Sequence, residues 1–398
     1  MNQPKTNVTS NSATCPACGL LCDDILIDNN NNKIKVLKNG CAKSVTFFEQ
    51  NLNGLTPKIA GKSVTLQEAI SKTAQILSKA KKPLFAGLGT DIQGFRAIYN
   101  HAQKTNGILQ HMNAQSMARN MRVLQSAGWQ TTTLAEVKNR ADVIVCIGTD
   151  IVLHNPRFFE RFIQQDGMFI DAKQREIIFI GENIKKSDAL ENSSLLPCRA
   201  ADLPEITLTL RALVAGKELK AKNLAGMNIG DLQTVADKLK QAKYAVLAWV
   251  AKDLDFTHAE LTIQNITETV MLLNQTTRAA GLPLGGSDGD TSANNANTWL
   301  SGWALNSVEE SYDAIVWVNS FSPERLPKNS DNPLIVLGNS NVKFKTEPDV
   351  FIPIATPGLD CSGMLFRVDS SVILPLKKVR ENNLSTLSGI VSAIEKLI

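Results

Sequence analysis

Four cysteines near the start of the chain are the residues whose types and spacing best suit chemistry. Cys15, Cys18, Cys22 and Cys41 follow a C-x2-C-x3-C-x18-C arrangement. Thiolates are soft ligands, and four of them suit a 4Fe–4S cluster or a structural Zn²⁺ ion. The spacing favours iron–sulfur, because zinc modules more often pair two C-x2-C turns. The alternative is four unligated thiols, since cysteine is often buried as a small hydrophobic residue.

The histidines offer no second catalytic site. All four are scattered along the chain, and none forms an H-E-x-x-H pair. The turn "GLGT" (87–90) lacks the G-x-G-x-x-G fingerprint of a dinucleotide site. We therefore predict no catalytic residue, and the cysteines remain the candidate metal ligands.

A small module at residues 15–60 must position these cysteines. Its segment "KIKVLK" (33–38) is typical of a short strand and follows the turn-forming run "DNNNN" (28–32). If this hairpin folds back on itself, the four thiols come together. The polar residues 1–14 lack the apolar core of a signal peptide, so we predict a disordered N-terminus there.

From residue 61 onward, short apolar runs alternate with helical patterns. Such alternation is typical of βαβ units that build a parallel sheet. We predict an α/β fold with two Rossmann-like lobes, at 61–215 and 216–398, joined by a polar stretch near 215–240. The predicted strands lie at 82–90, 142–148, 176–181, 244–250, 313–319, 332–338 and 349–356, and the predicted helices at 63–80, 92–105, 257–275 and 384–397.

Composition limits the classes of function. Hydrophobic residues make up 43% of the 398 residues and charged residues 20%, as in an ordinary globular protein. The net charge of +4 is spread without long basic runs, so nucleic-acid binding has no support. No stretch approaches the roughly 20 apolar residues of a membrane helix, so no membrane partner is expected. We expect a cytoplasmic protein whose seven cysteines remain thiols or metal ligands.

Three stretches resemble the B subunit of formylmethanofuran dehydrogenase, in the molybdopterin oxidoreductase superfamily. They are the cysteine opening, "TTTLAEVKNRADVIVCIGTDIVLHNPR" (131–157) and "VFIPIATPGLDCSGMLFRVDSSVILPLKKV" (350–379). The resemblance spans nearly the whole chain and implies a formate dehydrogenase-like fold behind the cysteine module. It is nearest to the B subunit of the bacterial formyltransferase/hydrolase complex.

The resemblance implies two alternative functions. In the archaeal enzyme, the B subunit holds a tungsten or molybdenum pterin centre and reduces CO2. In the bacterial complex, the B subunit has no redox task within the tetrahydromethanopterin-linked oxidation of formaldehyde to formate. Its partners there are an amidohydrolase-like A subunit, a β-helical C subunit and a formyltransferase subunit.

Two departures from the redox family favour the structural role. The loop that supplies a cysteine or selenocysteine ligand reads "HMNAQSMARNMRVLQSAGW" (111–129), and an ungapped placement puts Ser116 or Met117 at the ligand position. A thioether carries no charge and cannot replace a thiolate, whereas a serine alkoxide could still bind the metal. Cys361 stands where the family places a histidine. We therefore expect molybdopterin and tungsten to be absent, and the alternative is an active tungsten or molybdenum dehydrogenase.

The glycine-rich stretch 281–299 lies where relatives contact the pterin. Gly285 and Gly286 permit close approach of the backbone to a ligand, and Asn294 and Asn295 can donate hydrogen bonds. The resemblance groups them with Ser116 as the remains of a cofactor cleft. The alternative is a flexible surface loop. A third function, of a different class, is a regulatory module that binds a pterin or nucleotide between the lobes.

If the chain has no catalytic activity of its own, we expect its function to be the binding of partner subunits. The apolar run "RFFERFI" (157–163) is one candidate surface for partner subunits. Its helical spacing makes an internal core face the alternative.

Overall fold

The computed structural model describes residues 11–182, 184, 190, 192–305, 310–327 and 330–398. Residues 1–10 of the predicted disordered N-terminus lie outside the described residues. For residues 11–13 the prediction is wrong, because they form a strand that pairs antiparallel with residues 25–27 and buries Ala13.

The described chain alternates strands and helices. The strands are β1 (Asn11–Ala13), β2 (Ile25–Asn30), β3 (Lys33–Lys38), β4 (Lys58–Ile59), β5 (Lys62–Ser63), β6 (Pro83–Gly89), β7 (Ile108–His111), β8 (Val143–Ile147), β9 (Glu176–Ile180), β10 (Ser193–Leu196), β11 (Asn223–Leu224), β12 (Met227–Asn228), β13 (Ala245–Val250), β14 (Ala279–Leu284), β15 (Ala314–Asn319), β16 (Leu334–Gly338), β17 (Val350–Pro353), β18 (Gly363–Phe366) and β19 (Ile373–Leu376).

The α-helices are mostly short. They are α1 (Ala42–Phe48), α2 (Leu66–Leu77), α3 (Ile92–Lys104), α4 (Ala114–Ala127), α5 (Leu134–Arg140), α6 (Ile151–His154), α7 (Leu203–Val214), α8 (Ile229–Gln241), α9 (Ala259–Leu273), α10 (Asp290–Ser301) and α11 (Leu387–Glu395). Two 3-10 turns (Ala172–Gln174 and Ala200–Asp202) and one π-helical turn (Phe159–Ile163) complete the described elements. None of the described helices is long and apolar enough to cross a membrane.

Local sequence explains where the predicted elements begin. Helix α2 starts after Thr65, whose hydroxyl accepts a hydrogen bond from the Glu68 N–H while the Glu68 carboxylate accepts one from the Thr65 N–H. The apolar runs predicted as strands form β6, β8, β9, β13, β15, β16 and β17, and their residues are almost all buried. Burial on both faces is what parallel strands covered by helices require. The predicted α/β architecture with parallel sheets is confirmed.

The first compact unit comprises residues 1–114, 286–367 and 372–398. Its main sheet has the order β5-β4-β17-β16-β15-β6-β7, in which the strands from β17 to β7 run parallel. Strand β6 lies between β7 and β15, so the carboxyl ends of β6 and β15 form a topological switch point. Ligands of doubly wound folds lie at such points.

The cysteine-rich segment is part of this first unit. Strands β1, β2 and β3 form a small antiparallel sheet that is followed by α1. Two hydrogen bonds fasten it to the end of the chain: Asn29 Nδ2 donates to the Val379 carbonyl (2.6 Å), and Arg380 Nη1 donates to the Gln50 carbonyl (2.8 Å). The module is therefore anchored on the segment that follows β19.

The second compact unit comprises residues 115–285 and 368–371. Its sheet has the order β10-β9-β8-β13-β14, with every strand parallel to its neighbours. Helices α7, α8 and α9 share one core with this sheet, in which Leu210, Leu232 and Ile263 are buried with Trp249. This order is a doubly wound one, with its switch point between β8 and β13.

The two units do not follow the predicted division into consecutive lobes. The predicted boundary at 215/216 falls inside the second unit. The predicted connection at 215–240 contains the hairpin β11–β12 and most of α8, whose Leu232 and Leu239 are fully buried. The physical reason is strand pairing: β13 pairs with β8 and β15 pairs with β6, so each sheet joins segments that are distant in sequence.

The predicted partner surface at 157–163 is also wrong. Phe158, Phe159 and Phe162 are 0%, 4% and 7% exposed, and the Phe158 ring lies 5.2 Å and 6.0 Å from the other two. The π-helical turn and the residue before it thus place all three rings in the interior. The alternative of a core face is the correct one.

Candidate functional site

The cysteine module gathers its thiols at one end of a small sheet. The Cys15 N–H donates to the Cys22 carbonyl (2.9 Å), and the turn between them contains Leu21 with a φ of 46°. Cys41 caps α1, where its N–H donates to the Ser44 hydroxyl (2.7 Å). Three of the thiols are buried and the fourth, on Cys41, is half-buried.

The thiols are close enough to influence one another's protonation. Burial raises the pKa of Cys15, and charge on Cys18, Cys22 and Cys41 would raise it further. Burial likewise raises the pKa of Cys18 to about 11, while the nearby Lys43 ammonium opposes that shift. A thiolate in this dry pocket therefore needs a compensating cation.

The donor types fit an iron–sulfur or zinc group, but the side chains as placed do not form a ligand set. Among the described residues, no group of three or more His, Cys, Asp or Glu side chains is arranged to hold a metal ion. The convergence of four ligating thiols thus stays a prediction.

The residues assigned to a cofactor cleft belong to different units. Ser116 is half-buried on α4, and Gly285 follows β14, where its carbonyl accepts from Asn155 Nδ2 (3.2 Å) in the second unit. Gly286, with a φ of 78°, begins the loop before α10 in the first unit. Asn294 and Asn295 are half-buried on α10. The stretch 281–299 is thus mostly strand and helix, with a loop at 285–289.

This loop reads G-G-S-D-G, which fits the G-x-S-x-G pattern of serine hydrolases at a strand-to-helix turn. The geometry does not activate Ser287. His111 Nδ1 accepts from the Asn113 N–H (3.0 Å), and Nε2 lies 3.2 Å from the Asp288 carbonyl, so both ring nitrogens are engaged. Burial lowers the pKa of His111, which is consistent with a neutral ring. The His111 and Asn113 side chains therefore hold the loop in place, and His111 is not available as a general base for Ser287.

A second group of buried polar side chains lies at the carboxyl edge of the first unit's sheet. Arg380 Nε donates to Asp360 Oδ1 (2.8 Å), and both side chains are almost fully buried. Asp360 Oδ2 also accepts from the Thr356 N–H (3.1 Å). This ion pair fixes the segment 356–361, which crosses the ends of the parallel strands.

A cavity of about 340 Å³ lies beside that segment, within the first unit. Asp91 and Cys361 both line it. Burial raises the pKa of Asp91 even though its carboxylate accepts from backbone N–H groups of Gly94, Gln93 and Met364. Burial, with the Asp91 and Asp360 charges, raises the pKa of Cys361 to about 12. The thiol is therefore protonated at neutral pH and cannot act as the proton carrier that a histidine would be.

The second unit has its own polar cluster at the switch point of its sheet. His154 Nε2 lies 2.7 Å and 2.8 Å from the two Asp253 carboxylate oxygens, and Thr149 Oγ1 donates to Asp253 Oδ2 (2.7 Å). Thr149 follows β8 and Asp253 follows β13, so the cluster joins the two central strands. Sequence reasoning missed it. The available signal was the tripeptide Gly-Thr-Asp directly after a buried strand, which occurs at 89–91 and again at 148–150.

Comparison with known proteins identifies the relatives of this chain. No family model matches the sequence. The B subunit of tungsten-containing formylmethanofuran dehydrogenase 2 from Methanococcus maripaludis is 24% identical over 412 residues, which cover 92% of this chain and 93% of that protein. The protein of the same name from Methanocaldococcus jannaschii is 23% identical over 406 residues, with the same coverage. The chain is homologous to these B subunits.

A bacterial relative is similar over somewhat less of the chain. The B subunit of the formyltransferase/hydrolase complex Fhc from Methylorubrum extorquens is 22% identical over 346 residues, which cover 79% of this chain and 89% of that protein. The predicted resemblance to the B subunit of formylmethanofuran dehydrogenase and to its bacterial counterpart is thereby confirmed.

Two solved structures establish the fold. A chain of the formyltransferase/hydrolase complex FhcABCD from Methylorubrum extorquens, solved with methylofuran, matches with a TM-score of 0.71 at 21% identity, over 86% of this chain and 98% of that one. Acetylene hydratase from Pelobacter acetylenicus matches with a TM-score of 0.66 at 12% identity, over 97% of this chain and 69% of that one. The chain thus shares its fold with these two proteins.

Proposed function

We propose that this chain is the B subunit of a formyltransferase/hydrolase-type complex, with a structural and non-redox role in tetrahydromethanopterin-linked oxidation of formaldehyde to formate. The observation that carries the proposal is the match to a chain of FhcABCD, of which 98% is covered at a TM-score of 0.71. A chain that reproduces nearly all of that fold is suited to the same place in an assembly.

Two positions argue against the alternative, a tungsten or molybdenum dehydrogenase, although tungsten enzymes are among the relatives. Ser116 stands at the position predicted for the metal's cysteine ligand, and α4, which carries it, contains no cysteine or histidine. Cys361 stands where the redox family has a histidine, and the raised pKa of its half-buried thiol keeps it protonated at neutral pH. Both changes remove groups that redox chemistry at a pterin-bound metal would use.

We also propose that Cys15, Cys18, Cys22 and Cys41 can hold an iron–sulfur cluster or a zinc ion. The support is the burial of the first three and the electrostatic influence of the others on Cys15, which a bound cation would relieve. Such a group would cross-link the module at 15–60, and an iron–sulfur cluster could in addition carry an electron. In a non-redox protein, the bound group would serve only to cross-link and stabilise this module.

The remaining assignments follow from the same proposal. The partners would be an amidohydrolase-like A subunit, a β-helical C subunit and a formyltransferase subunit, in the cytoplasm and without nucleic acid. Ser116, Gly285, Gly286, Asn294 and Asn295 would line what remains of a pterin cleft.

The test is anaerobic purification of the tagged chain from cells that also express the partner subunits. We expect the amidohydrolase-like and formyltransferase subunits to co-purify, iron or zinc to be bound, and no viologen-coupled formate oxidation. Cys18→Ala should lose the metal, whereas Cys146→Ala, which changes a buried thiol within β8, should retain it.

Two outcomes would contradict the proposal. Stoichiometric tungsten or molybdenum together with formate oxidation would support the dehydrogenase alternative. Elution as a lone monomer, with formyl hydrolysis intact after deletion of this chain, would remove the structural role.

A further inference from the structure

Two tryptophans at the C-terminal end of α10 are unusually exposed. Trp299 and Trp303 expose 66% and 73% of their surface, whereas Trp249 is fully buried. Leu300 lies between them at 38% exposure. Tryptophan offers a large apolar surface, and exposed clusters of such residues mark interaction sites more often than chance placement does.

The backbone that presents these rings is held firmly. Helix α10 ends at Gly302, whose φ of 80° turns the chain and whose N–H donates to the Thr298 carbonyl (2.9 Å). The Trp303 carbonyl then accepts from Asn297 Nδ2 (2.7 Å) and from the Ser301 hydroxyl (3.2 Å). These hydrogen bonds fix the turn while leaving the Trp303 ring in solvent.

Contacts on either side of the turn extend this order. The Trp299 ring packs edge-on against Phe366, with ring centroids 4.9 Å apart. The Asn294 side chain accepts from the Leu305 N–H (3.0 Å), and Leu305 is buried. Because folding already orders this surface, binding of a partner costs little further conformational entropy.

The charge around the pair selects the kind of partner. Residues 279–305 contain no lysine, arginine or glutamate, and their only acidic residues are Asp288 and Asp290. Asp288 is paired with Arg325 and Asp290 with the Asn113 amide. This segment therefore carries no unpaired charge of its own and offers amide and hydroxyl groups. Nucleic acids and anionic bilayers are bound through lysine and arginine, which this segment does not contribute.

The size of the surface indicates the centre of a larger contact. With up to about 250 Å² per indole, the two rings expose on the order of 350 Å², below the roughly 800 Å² per partner of a standard interface. An apolar centre with a polar rim is the usual anatomy of a protein–protein interface.

We propose that Trp299 and Trp303 form the apolar centre of the surface by which this chain docks onto another folded subunit of its complex. The partner would offer an uncharged apolar pocket rimmed by neutral polar groups. This inference rests on the proposed function, since it assumes that such an assembly exists.

The experiment compares Trp303→Ala and Trp299→Ala/Trp303→Ala with a matched control, Met168→Ala/Phe169→Ala. The control residues are 76% and 61% exposed in the second unit and outside the proposed surface. Each variant is expressed with the partner subunits, tagged, and assayed for co-purification and for affinity toward the remaining subunits. Far-ultraviolet circular dichroism confirms folding, which the single Trp303→Ala variant should leave intact because that ring contributes little to the core.

We expect the double tryptophan variant to bind at least tenfold more weakly, because tryptophan is enriched among the few interface residues that dominate binding energy. The control should assemble like the wild type. If the wild type assembles and the tryptophan variants assemble equally well, this inference fails while the proposed function stands. If the wild type binds no partner, both fail. Loss of a homodimer alone, with hetero-assembly unchanged, would assign the surface to a second copy and overturn the inference.

Discussion

The two α/β units carry the same tripeptide at the same structural position, in different surroundings. Gly-Thr-Asp occurs at 89–91, where β6 ends, and at 148–150, directly after β8. In both places the aspartate caps the following helix by accepting hydrogen bonds from its first N–H groups. Local sequence therefore determines the cap in each unit.

The two tripeptides differ in the residues that contact their threonine and aspartate side chains. In the second unit, Thr149 donates to Asp253, which belongs to a largely buried cluster with His154. In the first unit, the Thr90 hydroxyl is buried and has no hydrogen-bond partner among the described residues. Asp91 there accepts an additional hydrogen bond from the Met364 N–H. The same threonine position is thus hydrogen-bonded within a polar cluster in one unit and lacks a described partner in the other.

The largest expected difference concerns the two aspartates. Asp91→Ala should lower the free energy of unfolding by about 2–3 kcal/mol, because it removes a helix cap and leaves the Met364 N–H without its partner. Asp150→Ala should cost about 1 kcal/mol or less, since it caps a helix of only four residues. Urea unfolding followed by circular dichroism measures both. Equal losses of unfolding free energy in the two variants would show that the hydrogen bond from the Met364 N–H does not contribute to stability.

Sequence reasoning reached the elements but not their pairing. Strands such as β6 and β13 were predictable because a short, continuous apolar run between turn residues is typical of a buried strand. That β6 pairs with β15, more than two hundred residues later, depends on tertiary packing that no local pattern encodes. The misplaced lobe boundary follows from that limit. Helix α8 was missed because its polar face hid the spacing of Leu232, Val235 and Leu239.

The candidate sites divide in the same way. The cysteine spacing predicted a shared metal site, and the convergence of the four thiols on one metal stays a prediction. The phenylalanines at 158–162 and the tryptophans at 299 and 303 look alike as apolar residues, yet the former are buried and the latter exposed. Exposure depends on what the rest of the chain places over a side chain, so sequence alone could not decide which aromatic residues lie on the surface.

A pH titration provides the next test, on the buried edge of the first unit. Burial lowers the pKa of His111 below its usual 6.5, so the unfolded chain binds more protons than the folded one below that value. Stability should therefore fall as the pH drops from 7 toward 5, by at most about 1.4 kcal/mol per pH unit for this group. His111→Gln should reduce that slope, as measured by urea unfolding at several pH values.

Other buried titratable groups also contribute to the pH dependence of stability. His101 is also buried with a lowered pKa and acts in the same direction, so a double variant with His101→Gln should flatten the profile further. Burial raises the pKa of Asp290, which adds stability at low pH that is lost as the pH rises through its folded value, and neither substitution removes it. An unchanged slope in the double variant would mean that neither imidazole is neutral in the folded state.

The smallest expected effect is the sharpest test of the comparison, because it uses one substitution at two matched positions. Thr149→Val removes the hydroxyl that donates to Asp253 and should cost about 1 kcal/mol. Thr90→Val replaces a buried hydroxyl that lacks a partner by a methyl group of similar shape, so stability should stay unchanged or rise slightly. Both values come from the same urea titrations, and the difference between them cancels the common change in side-chain volume and β-branching. If Thr90→Val costs as much as Thr149→Val, the Thr90 hydroxyl is hydrogen-bonded in solution, and the two strand ends are alike after all.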